Sequence, residues 1–228
     1  QGLIWGIMAL GVYITFRLLD FADLSVDGTF ATGGAVTVML LLAGVPAPLA
    51  VLIAVAAGIV AGCVTGLLHT LLGIPAILSG ILVQFMLYSI NLRIMGMASN
   101  KAISVDKYDL ILSSRYVSSA ILIGAIFVLV LIAVMYWYFG TEQGSAIRAT
   151  GTNPAMAKAQ GINIGVMKVI GLALSNGLVA LAGGLMAQYQ GFADVSMGRG
   201  AIVIGLAAVI IGEVLCDAIF KKRKNFAI

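Results

Sequence analysis

Six ionisable residues stand beside long apolar stretches of this sequence: Arg17, Asp23, Asp27, Asp194, Arg199 and Glu213. A charge next to a membrane-spanning stretch is costly to bury, so such residues are default candidates for a polar path across a bilayer. Four of the six fall in two related segments, DFADLSVDG at 20–28 and GFADVSMGRG at 191–200. Asp23, Asp27, Asp194 and Arg199 are therefore the candidate pathway residues. The plainer alternative is that they cap ordinary tight connections between helices. Other chemistry is poorly provided for. The single histidine, His69, can supply neither a nucleophile's base nor a histidine-based metal site. Cys63 and Cys216 make no disulfide framework and no metal motif. No H-E-x-x-H and no G-x-x-x-x-G-K-[ST] occurs, and Gly is never followed by Lys. The chain is expected to be no enzyme, to hold no metal and no cofactor, and to bind no ATP through a P-loop of its own.

A second constellation is the polar stretch GTEQGSAIRATGTNPAMAKAQGINIGVM, residues 140–167. Asn153 is a good N-cap, because its side chain can accept from free N–H groups of a first turn. Pro154 suits the first helical position. Residues 155–160 are nearly all good helix formers. Gly161 stands where a left-handed residue ends a helix. The spacing predicts a helix of about two turns, which is too short to persist alone in water. It must dock, either on its own protein or on a soluble partner. Its docking face would comprise Ala155, Met156 and Ala159, flanked by Arg148, Asn153 and Lys158.

The elements that carry these residues are apolar. The chain has 228 residues, 61% hydrophobic and 10% charged, with mean hydropathy +1.12. A soluble domain carries about 25% charge. The composition defines an all-α polytopic membrane protein. Spans of about 20 apolar residues are predicted at 2–19, 28–44, 47–72, 75–97, 117–139, 166–190 and 200–215. Gly58, Gly62 and Gly66, at four-residue spacing, form a stripe for close helix packing. The net charge of +4 fits basic loops rather than nucleic-acid binding. Arg17, Arg148, Lys158, Lys168 and the tail Lys221, Lys222, Arg223 and Lys224 fall on one side. Arg93, Lys101, Lys107, Arg115 and Arg199 fall on the other. This lean puts the 140–167 loop and the 216–228 basic tail in the cytoplasm. The chain opens at Gln1 with no basic leader and cleavage site, so residues before Gln1 are expected.

Shifting the chain by 171 positions lays FADLS at 21–25 on FADVS at 192–196. Leu3, Gly6, Ala9 and Leu10 then meet Leu174, Gly177, Ala180 and Leu181. Phe-Ala-Asp-x-Ser is not a cheap match, since the whole chain has only nine acidic residues. Five predicted crossings separate the copies, so the second is inverted. Inverted repeats are a transporter signature, with the pathway at the repeat interface near the midplane. Spans 28–44 and 200–215 correspond under the shift and are the shortest. They read as broken, re-entrant or incompletely crossing helices. The first repeat covers about 2–97 and the second starts near 173. A complete second copy would end near position 268, so two further C-terminal helices are expected beyond the 1–215 membrane domain.

The run GSAIRATGTNPAMAKAQGIN at 144–163, with LSNGLVALAGGL at 174–185, resembles the permease subunits of ABC importers of the branched-chain amino-acid and ribose type. The DFADLSVDG wording is similar to a subgroup associated with tryptophan or tyrosine uptake. The resemblance covers residues 2–215. It implies that the 140–167 loop holds a coupling helix that docks on an ATP-binding cassette subunit. Arg148, Thr150, Gly151, Asn153, Pro154, Met156, Lys158 and Gly161 would belong to that coupling region. It also implies an extracytoplasmic solute-binding protein, a second permease subunit forming a homodimer, ATP on the partner subunit, and a place in the bacterial cell membrane. The function expected is import of a small polar solute, an aromatic or branched-chain amino acid or a related compound. An ion-coupled secondary transporter with the same kind of repeat is the alternative. It leaves the capped loop helix without a task.

Overall fold

The computed structural model describes residues 1–103 and 117–219, and the side chains of 1–103 and 121–215. Lys107, Arg115 and the tail Lys221, Lys222, Arg223 and Lys224 lie outside the described residues. The long helices fall where apolar runs predict them: α1 (Gly2–Tyr13), α2 (Val26–Leu42), α3 (Ala47–Thr70), α4 (Ala76–Ile94), α5 (Val117–Phe139), α8 (Ile164–Gln190) and α9 (Ala201–Ile219). Two short helices, α6 (Glu142–Thr152) and α7 (Pro154–Ala159), fill the polar loop. Four helices, α3, α4, α5 and α8, are long and apolar enough to cross a membrane. Of the remaining apolar helices, α2 is 17 residues long.

The core is built on α8. From Gly171 to Gln188 nearly every residue is buried, including Ser175, Asn176 and Gln188. A helix buried on all sides must be apolar or small all round, and LSNGLVALAGGL meets that need. The Gly58–Gly62–Gly66 stripe of α3 lies directly on it. A Cβ at Gly58 would meet the backbone of Asn176, one at Gly62 that of Leu172, and one at Gly66 the Cα of Val169. Such contact lets dispersion forces hold helices together where lipid offers no hydrophobic drive. On the opposite flank, Ser175 Oγ donates to the Gly11 carbonyl of α1 at 2.7 Å. The outer faces of α3, α4 and α5 expose large apolar side chains, such as Leu52, Phe85, Leu129 and Trp137, as a lipid-facing helix must.

Three features depart from the sequence expectation. First, α1 continues as a π-helical turn, Ile14–Leu18. There Leu19 N–H donates to Ile14 O at 3.1 Å and Phe21 N–H to Thr15 O at 2.9 Å. Second, two short strands, β1 (Asn100–Ala102) and β2 (Phe192–Asp194), pair antiparallel with Lys101 opposite Ala193. Third, α6 forms from EQGSAIRATGT, which has little helix propensity. Tertiary contact stabilises it: Ile147 is buried, Gly144 packs on Phe139, and Gly151 on the Leu18 carbonyl.

Candidate functional site

Helices α2 and α9 start close together, joined through Asp27, and run apart. Asn176 stands halfway along the 27-residue α8. Around it, Asp23 Oδ1 accepts from Ser25 N–H at 2.9 Å and from Ser25 Oγ at 2.6 Å. Asp23 Oδ2 accepts from Asn176 Nδ2 at 2.8 Å, and Thr29 Oγ1 donates to Asn176 Oδ1 at 2.6 Å. The chain therefore leaves α1 at Leu18, beside α6, and climbs without helix to Asn176 before α2 begins. From there α2 runs toward the β1–β2 end, where Val38 and Leu41 pack with Ile103 and Val195. The other short helix, α9, runs the opposite way. Gly205 packs on Val12, and Arg17 pairs with Glu213 at 2.5 Å on the α6 side. Neither helix is itself broken; both are continuous. The breaks are the Asp-containing segments before them.

Asp27, in the first turn of α2, joins the two starting points. Its Oδ2 accepts from Gly200 N–H at 3.0 Å and its Oδ1 from Ile202 N–H at 2.9 Å. These are donors of the α9 N-terminus that have no intrahelical acceptor. The Asp27 carbonyl also touches Gly198 so closely that no Cβ would fit there. Positions 27 and 198 are equivalent under the 171-residue shift.

A cavity of about 280 Å³ opens at this point. Asp27 and Gly28 of α2 and Arg199 form one wall. Gln84, Phe85, Tyr88 and Asn91 of α4 form the other. Asn91 is fully buried, and neither atom of its side-chain amide has a hydrogen-bond partner. Of the candidate pathway residues, the structure brings Asp27 and Arg199 together here. Asp23 is buried in the Asn176 network, and Asp194 binds Ser196; neither lines this cavity. The α4 residues were not singled out from sequence. Gln84, Tyr88 and Asn91 are polar positions at i, i+4 and i+7 within an apolar span, and that stripe was the available signal.

At the other end, the capped helix forms as its residues dictate. Asn153 Oδ1 accepts from Met156 N–H at 3.1 Å, Pro154 starts the helix, and Gly161 has φ +83°. Met156, Lys158 and Ala159 of α7 are exposed, whereas Ala157 is buried. Arg148, Thr150 and Gly151 of α6 turn inward instead. Arg148 Nη2 donates to the last helical carbonyl of α5, Phe139 O, at 2.8 Å. Thr150 is buried, and Gly151 lies against Leu18. Among the described residues no group of His, Cys, Asp or Glu could hold a metal ion.

Close packing of small residues among long apolar helices fits a multi-pass membrane protein. The sequence pattern of the family described as branched-chain amino acid transport system, permease component, matches residues 1–220. The chain belongs to that family. It is 44% identical over 181 residues to the tyrosine transport system permease protein of Clostridioides difficile (strain R20291), covering 79% of this chain and 60% of that one. It is 34% identical over 182 residues to uncharacterized protein RP368 of Rickettsia prowazekii (strain Madrid E), covering 79% of this chain and 63% of that one. The chain thus spans less than two thirds of the length of these relatives. No solved structure matches it.

Proposed function

We propose that the chain is the membrane subunit of an ATP-driven importer in the bacterial cell membrane, and that its solute is an amino acid. The carrying observation is the exposed, doubly capped α7 linked through α6 to the break before α2. ATP binds a separate cassette subunit, which seats on Met156, Lys158 and their exposed neighbours from the cytoplasm. Motion of α7 passes to α6. Through Gly151, α6 bears on Leu18, where the π-helical turn ends and the climb to Asp23 begins. The same motion reaches α5 through the Arg148 bond to Phe139 O. A stiff contact at Leu18 thus becomes a displacement at the start of α2 and at the cavity. An extracytoplasmic binding protein delivers the solute. A second copy of the permease covers the side of the cavity left open by exposed Phe85 and Tyr88. The relative in Clostridioides difficile is named for tyrosine transport, which supports the amino-acid reading.

Replacing Met156 with Asp tests the docking role. Met156 is 58% exposed, so the permease itself should fold with unchanged thermal stability. A buried interface carboxylate without a partner is costly, so the cassette subunit should co-purify at least tenfold less and solute uptake fall with it. Uptake that persists without ATP and follows a sodium or proton gradient would overturn the importer reading in favour of ion-coupled transport.

A further inference from the structure

We infer that His69 is a pH-sensitive latch: its neutral ring holds the base of α8, and with it the docking helix α7, against the end of α3, and cytoplasmic acid releases it. The inference rests on the importer reading and adds a regulation to it. His69 stands half-buried in the last turn of α3. Its ring meets three separate parts of the chain. Nδ1 lies 2.8 Å from the Ile74 carbonyl, in the connection between α3 and α4. Nε2 lies 3.1 Å from Nζ of Lys168, in the second turn of α8. Phe21, in the break between α1 and α2, meets the ring edge-on with 5.0 Å between centroids. Phe21 in turn shares a buried cluster with Leu19 and with Ile147 of α6. The ring therefore ties the end of α3 to α8 directly and, through Phe21, to α6.

The two ring nitrogens have settled roles. A carbonyl can only accept, so Nδ1 carries the proton and donates to Ile74 O. An ammonium can only donate, so Nε2 is bare and accepts from Lys168. A second proton would go on Nε2 and set two positive charges 3.1 Å apart. Lys168 has no other anchor: among the described residues no carboxylate pairs with it, and the start of a helix is an unfavourable place for a cation. A protonated ring therefore expels it. No neighbouring group offsets this. On α3 the nearest titratable residue is Cys63, more than a turn back, and the 71–75 connection carries none. On α8 the next is Tyr189, and on α4 it is Tyr88, both far along their helices. In the break, Asp20 is exposed and Asp23 accepts from Ser25 and Asn176. Exposed Leu71, Leu72 and Gly73 follow His69 where the chain leaves the helix, and such backbone does not lie in hydrocarbon. The ring is thus at the membrane surface. Thr70 lies beside Gly165, so that surface is the one bearing α7, the cytoplasmic one. The latch needs the bare nitrogen. It is closed at higher pH and opens as pH falls through the range in which histidine takes up a proton. A released α7 seats the cassette subunit less firmly, and ATP hydrolysis by the complex falls.

The test uses the complete permease with isotope-labelled histidine, assembled with its unlabelled cassette subunit in nanodiscs. Solid-state NMR reads the ring, and the His69 signal is the one lost in His69→Gln. At about pH 7.5 the ring should be the Nδ1–H tautomer, and at about pH 5.5 the imidazolium. ATP hydrolysis by the same samples, corrected for the cassette subunit alone, should fall about threefold or more over that interval. His69→Gln keeps an acceptor for Lys168 that does not titrate. Its hydrolysis should match the unaltered complex at the higher pH and stay level on acidification. Lys168→Met removes the tie at every pH, so its hydrolysis should be low and level throughout. The opposite tautomer at the higher pH, a fall shared by His69→Gln, or undiminished hydrolysis in Lys168→Met would overturn the latch. Retention of the cassette subunit at the higher pH reports separately on the importer reading. If it is retained and the pH pattern fails, only the latch falls. If it is not retained, the importer reading falls with it. The NMR reading on the unaltered protein keeps the test decisive even if a variant does not fold.

Discussion

The two Phe-Ala-Asp-x-Ser segments begin from the same letters and end in different surroundings. In both, one carboxylate oxygen accepts the backbone N–H and the hydroxyl of the serine two residues on. The distances are 2.9 and 2.6 Å for Asp23 with Ser25, and 2.7 and 2.5 Å for Asp194 with Ser196. This local motif turns the chain into the helix that follows, α2 in one case and α9 in the other. Beyond it the copies diverge. Asp23 and Ser25 are sealed against α8, where Asn176 supplies a further donor and acceptor. Asp194 is half-buried and Ser196 exposed, and their segment instead pairs with Asn100–Ala102. A repeat can thus conserve a turn while assigning its two copies different loads. The first copy anchors the start of α2 in the protein interior. The second holds a surface turn beside the cavity.

If the copies carry different loads, equal substitutions must have unequal effects. Asp23→Ala is expected to be the most damaging. It leaves the Asn176 amide without one acceptor, and the Ser25 N–H and hydroxyl without their carboxylate, all out of reach of water. A cost of about 3 kcal/mol follows from unpaired buried groups, enough to lower the yield of monodisperse protein several-fold. Asn176→Ala should cost less, about 2 kcal/mol, because Ser25 keeps Asp23 and Thr29 keeps the Ser25 carbonyl. Thermal unfolding of the two variants and their double in nanodiscs measures the coupling, expected at about 1–3 kcal/mol for contacting buried partners. Additive losses would mean that the network contributes no more than separate caps.

How far the letters alone carry the fold can be judged at the same residues. The spans were legible because apolar runs of the right length have few alternatives in a bilayer. The cap Asn153, the first-position Pro154 and the left-handed Gly161 were legible because capping is local chemistry. The shared Asp–Ser turn was visible because Phe-Ala-Asp-x-Ser is improbable in so apolar a chain. Much else depends on partners distant in sequence. Nothing near EQGSAIRATGT announces that Phe139 and Leu18 will hold it helical. Asp23 and Asp27 look equivalent as letters, yet one meets Asn176 and the other the end of α9. The polar stripe of α4 was readable in its spacing, but only its place around one cavity with Asp27 and Arg199 makes it a candidate site.

The smallest effect belongs to Asp194→Ala, and it is the sharper half of the comparison. Ser196 is exposed, so water can replace the lost acceptor, and the β1–β2 pairing uses backbone groups that the substitution leaves intact. A loss of about 1 kcal/mol or less is expected, the cost of an exposed cap. Its functional effect should nevertheless exceed its effect on stability. The turn held by Asp194 leads directly through Met197 to Arg199, since Met197 N–H donates to Asp194 O and Arg199 N–H to Ser196 O. Loosening it frees the guanidinium without unfolding the helix behind it. Solute uptake should therefore fall while thermal stability stays near that of the unaltered protein, the reverse of what Asp23→Ala does. If Asp194→Ala instead unfolds the protein as readily as Asp23→Ala, the copies share one structural role, and burial is not what distinguishes them.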